Sequence, residues 1–117
     1  MTAQTHADST AKVAVLSFIK ALNREDFNGA SRFLANDMKF EGVMGSRDGA
    51  DNYLADMQRM KFKYDIKKAF ADGDDVCLLY DINMGAATLF CSGWYKVAKG
   101  KITWFKVVFD PRPLLEK

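Results

Sequence analysis

FKYDIKKAFADGDDVCLLYDINMGAATLFCSGWYKVAKGKITWFKVVFD, residues 62–110, holds four strand-like runs in immediate succession. In the first, Phe62, Tyr64 and Ile66 alternate with Lys63, Asp65 and Lys67, so one face is apolar and the other wet. Asp72-Gly73-Asp74-Asp75 is a turn. The next three runs, 76–84, 88–97 and 102–109, are apolar at nearly every position, and Ala98-Lys99-Gly100 closes the last two as a tight hairpin. Strands apolar at both parities are covered on both faces. Helices can cover only one of them, which leaves the other for a second copy of the chain.

Upstream of the strands the period changes. Asp8, Ser9 or Thr10 can cap a helix in which Val15, Leu16, Phe18, Ile19 and Leu22 form one stripe, with residues 1–7 expected to fray. Asp26 can cap a second helix carrying Phe27, Ala30, Phe33 and Leu34 on one face, ended by Asn36-Asp37. Residues 38–43 read as a short strand stopped by Gly42 and Gly45. Ser46 can cap a third helix with Ala50, Tyr53, Leu54 and Met57 buried. The expectation is a single α+β domain over residues 1–117, in the order α-α-β-α-β-β-β-β. A cone-shaped, curved antiparallel sheet wraps on three N-terminal helices.

Composition narrows the function classes. Hydrophobic residues make up 49% and charged residues 27% of 117, which suits a globular protein with a packed core. A formal charge of +2, spread along the chain, does not mark a nucleic-acid binder. No apolar run is long enough to span a bilayer, and MTAQTHADST does not read as a signal peptide, so the cytoplasm is the expected location. His6, the single histidine, reads as a solvated terminal residue, and no histidine–cysteine cluster suits a metal; no cofactor is implied. Cys77 and Cys91 read as reduced thiols. A hairpin centred near Met84 would set them opposite each other and allow a cross-strand disulfide instead.

The stretches VLSFIKALNREDFNGASRFLANDMKFEG, GSRDGADNYLADM and GWYKVAKGKITWFKVVFD, in this order and spacing, resemble the nuclear transport factor 2-like superfamily, and within it the SnoaL-like group. The resemblance covers nearly the whole chain and implies a fold rather than a reaction. Its members include isomerases, cyclases, epoxide hydrolases, dehydratases and proteins that only bind. In members resembling ketosteroid isomerase, a tyrosine, a general-base aspartate and an acid occupy places that fall here on Phe18, Gly42 and Gly93. None of these can exchange a proton through its side chain. The Asp-Arg-Asp set of epoxide-hydrolase-like members is not evident either.

Asp81, which interrupts an apolar strand, is the remaining candidate catalytic residue. Its parity, matched to Cys77 and Leu79, predicts a place in the cone interior, where desolvation would raise its pKa as a general base requires. Glu41 is expected to point outward. The expected ligand-binding lining is Phe18, Leu22, Phe33, Phe40, Tyr53, Met57, Leu79, Cys91, Phe105 and Phe109, a set suited to a flat or greasy molecule. Gly42 and Gly93 either open space for that ligand or let an aromatic ring lie over the strand. Lys61, Lys63, Lys67 and Lys68 read as charges that keep a strand edge from aggregating. With a three-residue loop at 98–100, Trp94 and Trp104 fall opposite each other on the face away from the pocket, with Phe90 beside them and Lys106 at the rim. Such an aromatic patch predicts a homodimer through the outer sheet face, unless the tail from Pro111 folds over it. The leading functional expectation is a protein that binds a small apolar molecule. The alternatives are an isomerase, cyclase or related lyase using Asp81 as base, and a structural dimer with a filled cone.

Overall fold

The structure is a computed structural model that describes residues 2–115, with side chains from Thr10 onward; His6 therefore lies outside the described side chains. The elements are α1 (Thr2–Asn23), α2 (Phe27–Ser31), β1 (Leu34–Glu41), β2 (Ser46–Asp48), α3 (Ala50–Met60), β3 (Lys63–Asp72), β4 (Asp75–Asn83), β5 (Thr88–Ala98), β6 (Lys101–Phe109) and α4 (Arg112–Leu115). The six strands form one sheet in the order β2-β1-β6-β5-β4-β3. All neighbours are antiparallel except β1 and β6, which run parallel.

Helix α1 follows its sequence pattern: Ala11, Ala14, Val15, Phe18, Ile19 and Leu22 recur at three- and four-residue spacing and are all buried. It begins at Thr2 rather than at the caps expected at residues 8–10. Asp26 caps α2, its carboxylate accepting from the Gly29 N–H at 2.9 Å. That helix is shorter than its apolar pattern suggested. The Phe33 carbonyl accepts from the Ile102 N–H at 2.7 Å and Leu34 pairs with Ile102, so β6 captures the segment as a strand. The strand β2 was not expected. It pairs with residues 39–41, and Gly49 rather than Ser46 leads into α3. Gly49 has a φ of 91° while donating to the Met38 carbonyl at 2.7 Å, a conformation that favours glycine.

Irregularities between Ile66 and Lys68 in β3, between Lys96 and Val97 where β5 meets β6, and between Leu34 and Lys39 in β1 interrupt the ladders. Such bulges bend strands, and here they curl the sheet around α1 and α3. On the inner face lie Val76, Leu78, Tyr80 and Ile82 of β4, with Leu89, Cys91, Gly93, Tyr95 and Val97 of β5. Ile102, Phe105 and Val107 of β6 complete it.

The β4–β5 hairpin corrects several expectations at once. Asn83 pairs with Thr88, so the hairpin centres between Gly85 and Ala86, further along than Met84. Cys77 therefore faces Trp94, and Cys91 faces Tyr80, on opposite sides of the sheet; both cysteines are free. Asp81 and Leu79 share the outer face with Cys77, contrary to the interior placement that the sequence suggested. The β5–β6 hairpin also differs. Ala98 pairs with Lys101 through the two-residue turn Lys99-Gly100, whose φ values of 53° and 78° fit a tight reverse turn. The shift beyond it sets Lys96 opposite Trp104 and Trp94 opposite Lys106. The tryptophans are diagonal neighbours on the outer face rather than direct partners.

Candidate functional site

A cavity of about 280 Å³ opens at one end of the sheet, between its inner face and α3. The cone is not filled. Its mouth is set by Val43 and Met44 of the β1–β2 loop, Met60 at the end of α3, Met84 of the β4–β5 turn and Leu114 of α4. Residues 112–115 thus turn toward the cavity mouth and not over the tryptophans. At the base, Phe105 stacks on Tyr95 with ring centroids 4.8 Å apart and an interplanar angle of 12°. Phe40 and Tyr53 close around Phe105 at 5.0 and 5.2 Å.

The glycines explain how these rings fit. A Cβ on Gly93 would lie 2.8 Å from Tyr95 Cε1, 3.1 Å from its hydroxyl and 3.2 Å from Tyr80 Cε1. A Cβ on Gly42 would meet the Phe40 ring at 2.8 Å. Each glycine leaves room for an aromatic ring, not for a ligand.

Of the residues expected to line the pocket, Phe40, Tyr53, Met57, Phe105 and Phe109 do. Phe18 and Leu22 are buried on α1, Phe18 lying behind the ring cluster 6.1 Å from Phe105. Phe33 sits at the junction of α2 and β1, and Cys91 is buried on the inner face without reaching the cavity; its thiol donates to the Leu89 carbonyl at 3.6 Å. Burial pushes the Cys91 thiol up to about 11. Leu79 is removed from the site by its outward parity.

Asp81 is removed for the same reason. Its carboxylate lies on the outer face 3.7 Å from Lys67 Nζ, and Lys67 is held more closely by Asp65 at 2.7 Å. Of the other strand lysines, Lys63 pairs with Glu25 at 2.7 Å, and Lys61 approaches the same carboxylate at 3.9 Å. Glu41 points outward as expected, where it accepts from Trp104 Nε1 at 2.7 Å. The indole of Trp94 donates to Asp75 at 2.8 Å, and Lys96 Nζ lies 4.9 Å from its ring centroid.

Among the lining residues that the sequence reading missed are three tyrosines. All four tyrosines of the chain, Tyr53, Tyr64, Tyr80 and Tyr95, line the one cavity. Asn23 fixes Tyr64 from the end of α1, accepting from its N–H at 2.7 Å and donating to its carbonyl at 2.9 Å. The Tyr64 hydroxyl donates to Met57 Sδ at 3.5 Å, a weak acceptor. The Tyr53 hydroxyl donates toward that of Tyr64, and the Tyr80 hydroxyl toward that of Tyr95. No buried side-chain oxygen or nitrogen is both sealed from solvent and unpartnered. The three residues line the cavity, and the Tyr95 hydroxyl, which accepts from Tyr80, has no acceptor for its own proton among the described residues. Tyr53 lies close enough to Tyr64, and Tyr80 to Tyr95, for each pair to perturb one another's ionisation. Burial is the main cause that raises all four above the ordinary phenol range, so they stay protonated at neutral pH. Parity carried the signal: Tyr95 shares that of Cys91, and Tyr64 lies on the apolar face of its strand.

The model of the SnoaL-like domain matches residues 15–105. The chain belongs to the SnoaL-like family. A nuclear transport factor 2-like protein of unknown function from Cytophaga hutchinsonii is 50% identical, with a TM-score of 0.88 over 91% of this chain and 95% of that one. An epoxide hydrolase of the LEH-like kind from M. tuberculosis is 25% identical, with a TM-score of 0.82 over 93% of this chain and 89% of that one. A further protein of unknown function from Burkholderia xenovorans, 14% identical with a TM-score of 0.78 over 87% and 84% of the two chains, shares the fold. No curated protein matches the chain. Among the described residues no helix is long and apolar enough to cross a membrane, and no group of acidic, histidine or cysteine side chains is placed to hold a metal ion.

Proposed function

We propose that this SnoaL-like protein binds a small apolar molecule in the cavity and does not process it by acid–base chemistry. One observation carries the reading: among the described residues, those that line the cavity include no aspartate, glutamate, histidine, lysine or arginine. Hydrolysis of the kind named for the M. tuberculosis relative, or isomerisation, needs a titratable group beside the reacting atoms. The lining supplies only tyrosines, held protonated by burial. An engineered apolar cavity of about 150 Å³ takes up benzene, so 280 Å³ is room for about 11 non-hydrogen atoms.

A second copy of the chain is the proposed cover for the outer face. Phe70, Phe90, Trp94 and Val108 are each about half exposed there, and Trp104 extends the patch. Lys68, Lys96 and Lys106 alternate with Glu41, Asp75 and Asp81 across the same face, so a twofold contact can set opposite charges together. At half exposure these side chains offer roughly 400 Å² of apolar surface per copy, enough for the centre of a standard interface of about 800 Å² a side. The two free thiols suit a reducing compartment such as the cytoplasm.

Native mass spectrometry of freshly purified protein tests both readings. The expected species is a dimer, carrying up to one neutral adduct of about 150 Da per chain, the mass of about 11 light atoms. Trp94→Glu should yield monomers that keep the adduct. A bare chain that also gives no thermal shift with naphthalene-sized compounds would contradict binding. A monomer at micromolar concentration would contradict the interface.

A further inference from the structure

The Tyr80 hydroxyl donates toward that of Tyr95, which leaves the Tyr95 proton without a protein acceptor among the described residues in an apolar cavity. A buried hydroxyl donor without an acceptor destabilises the fold, and phenylalanine would fill the same space without that penalty. Tyr53 is 4% exposed, and Tyr80 and Tyr95 are 1% exposed each. Yet their oxygens reach the cavity. Two of them converge. The position that a Gly93 Cβ would occupy lies 3.1 Å from the Tyr95 hydroxyl and 3.2 Å from the edge of the Tyr80 ring, so the absent side chain lets the Tyr95 hydroxyl rest against the strand beside Tyr80.

We infer that the ligand is a neutral molecule with one hydrogen-bond-accepting oxygen on a compact apolar skeleton, such as a cyclic ketone, and that the linked hydroxyls of Tyr80 and Tyr95 donate to that oxygen through Tyr95. Each part of this class follows from the lining. The hydroxyls remain protonated and so can donate. A carboxylate or phosphate would enter without a cation to meet it, since no lysine or arginine among the described residues lines the cavity, and its desolvation would go uncompensated. A pure hydrocarbon would leave the Tyr95 donor unpaired. The remaining walls, from Ile19, Ile82 and Val107 to the methionines at the mouth, suit a saturated or aromatic ring system of about 11 non-hydrogen atoms.

This inference rests on the binding reading, and the test separates the two. 1-Tetralone and tetralin differ by one carbonyl oxygen on the same bicyclic skeleton, and both are close to the size that the cavity admits. Calorimetric titration of the wild-type protein should show 1-tetralone binding about tenfold more tightly than tetralin, the effect of one hydrogen bond to a buried donor. In Tyr80→Phe and Tyr95→Phe the tetralone affinity should fall toward that of tetralin, while tetralin binds as well as before or better. Unchanged tetralin binding also shows that the variants keep the cavity. Equal affinity for both compounds in the wild type, or tetralone affinity that neither variant alters, overturns the ligand class and leaves the binding reading standing. Failure of both compounds to bind overturns the binding reading and the ligand class with it.

Discussion

Gly93→Ala should destabilise the protein by collision, with no backbone penalty, and the structure gives the size of the effect. The added Cβ would sit 2.8 Å from Tyr95 Cε1 and 3.2 Å from Tyr80 Cε1, where ordinary carbon contacts begin near 3.5 Å. The Tyr95 ring cannot retreat freely, because Phe105 stacks on it at 4.8 Å and is itself wedged by Phe18, Phe40 and Tyr53. Overpacking of a rigid core by one methyl group costs about 1–3 kcal/mol. For a domain of 117 residues, an unfolding entropy of about 2.1 cal/mol/K per residue converts this into a fall in Tm of about 4–12 °C. Urea unfolding followed by far-UV circular dichroism measures it. The double variant identifies the cause. Tyr95→Leu alone should cost about 2–4 kcal/mol through lost packing, but in the Gly93→Ala background the added cost should shrink by 1 kcal/mol or more, since the colliding ring is gone. An alanine at 93 without effect on stability, or strict additivity with Tyr95→Leu, would refute the claim that this glycine exists to seat the tyrosine.

Two further outcomes are expected. Asp56, the one buried charged residue among those described, holds β2 to α3 through Arg47 at 2.6 and 3.1 Å, and also accepts from Arg59 of its own helix at 3.3 Å. The hydrogen bond from Arg47, opposed in part by burial, holds its carboxyl below the ordinary value of 3.8, so the folded chain binds this proton less readily than the unfolded chain. The stabilisation is complete above that unfolded value and is lost as pH falls through the lower folded one; Asp56→Asn should cost of the order of 1 kcal/mol at neutral pH, given arginines that are half exposed, and should flatten the acid limb of a stability–pH profile measured by urea unfolding. Cys91, with its thiol raised to about 11, should resist iodoacetamide at pH 8 until the protein is unfolded, as peptide mass mapping would show.

The order of elements was legible because period is legible. α1 alternates at three and four residues, β3 at two, and the turn residues separate them. What failed was register. Placing the β4–β5 hairpin at Met84 instead of between Gly85 and Ala86 reversed every side chain of β4 relative to β5. From that one slip came the inward Asp81, the inward Leu79 and the disulfide option. A strand apolar at both parities, VCLLYDINM, offers little to correct such a slip, since either face looks buried. Once Asp81 is turned outward, Tyr80 is turned inward, and the missing polar groups of the site become its tyrosines. The tryptophan face survived a similar error, because the shorter turn and the irregularity beyond it offset one another. Strand β2 was hidden because SRD has no apolar residue to mark it; it exists through pairing with residues 39–41 and the Arg47–Asp56 link.

The methionines give the most direct test of the central claim, that the cavity between α3 and the inner sheet face is a binding site for a small apolar molecule. Met44, Met57, Met60 and Met84 line it, whereas Met38 is buried in β1 and does not. With 13C-methyl-methionine labelling and titration of 1-tetralone, the resonances of those four methyl groups should shift together and saturate at one equivalent per chain while Met38 holds its position. Spectra in which the four stay fixed at saturating 1-tetralone, or in which Met38 moves and they do not, would contradict the account.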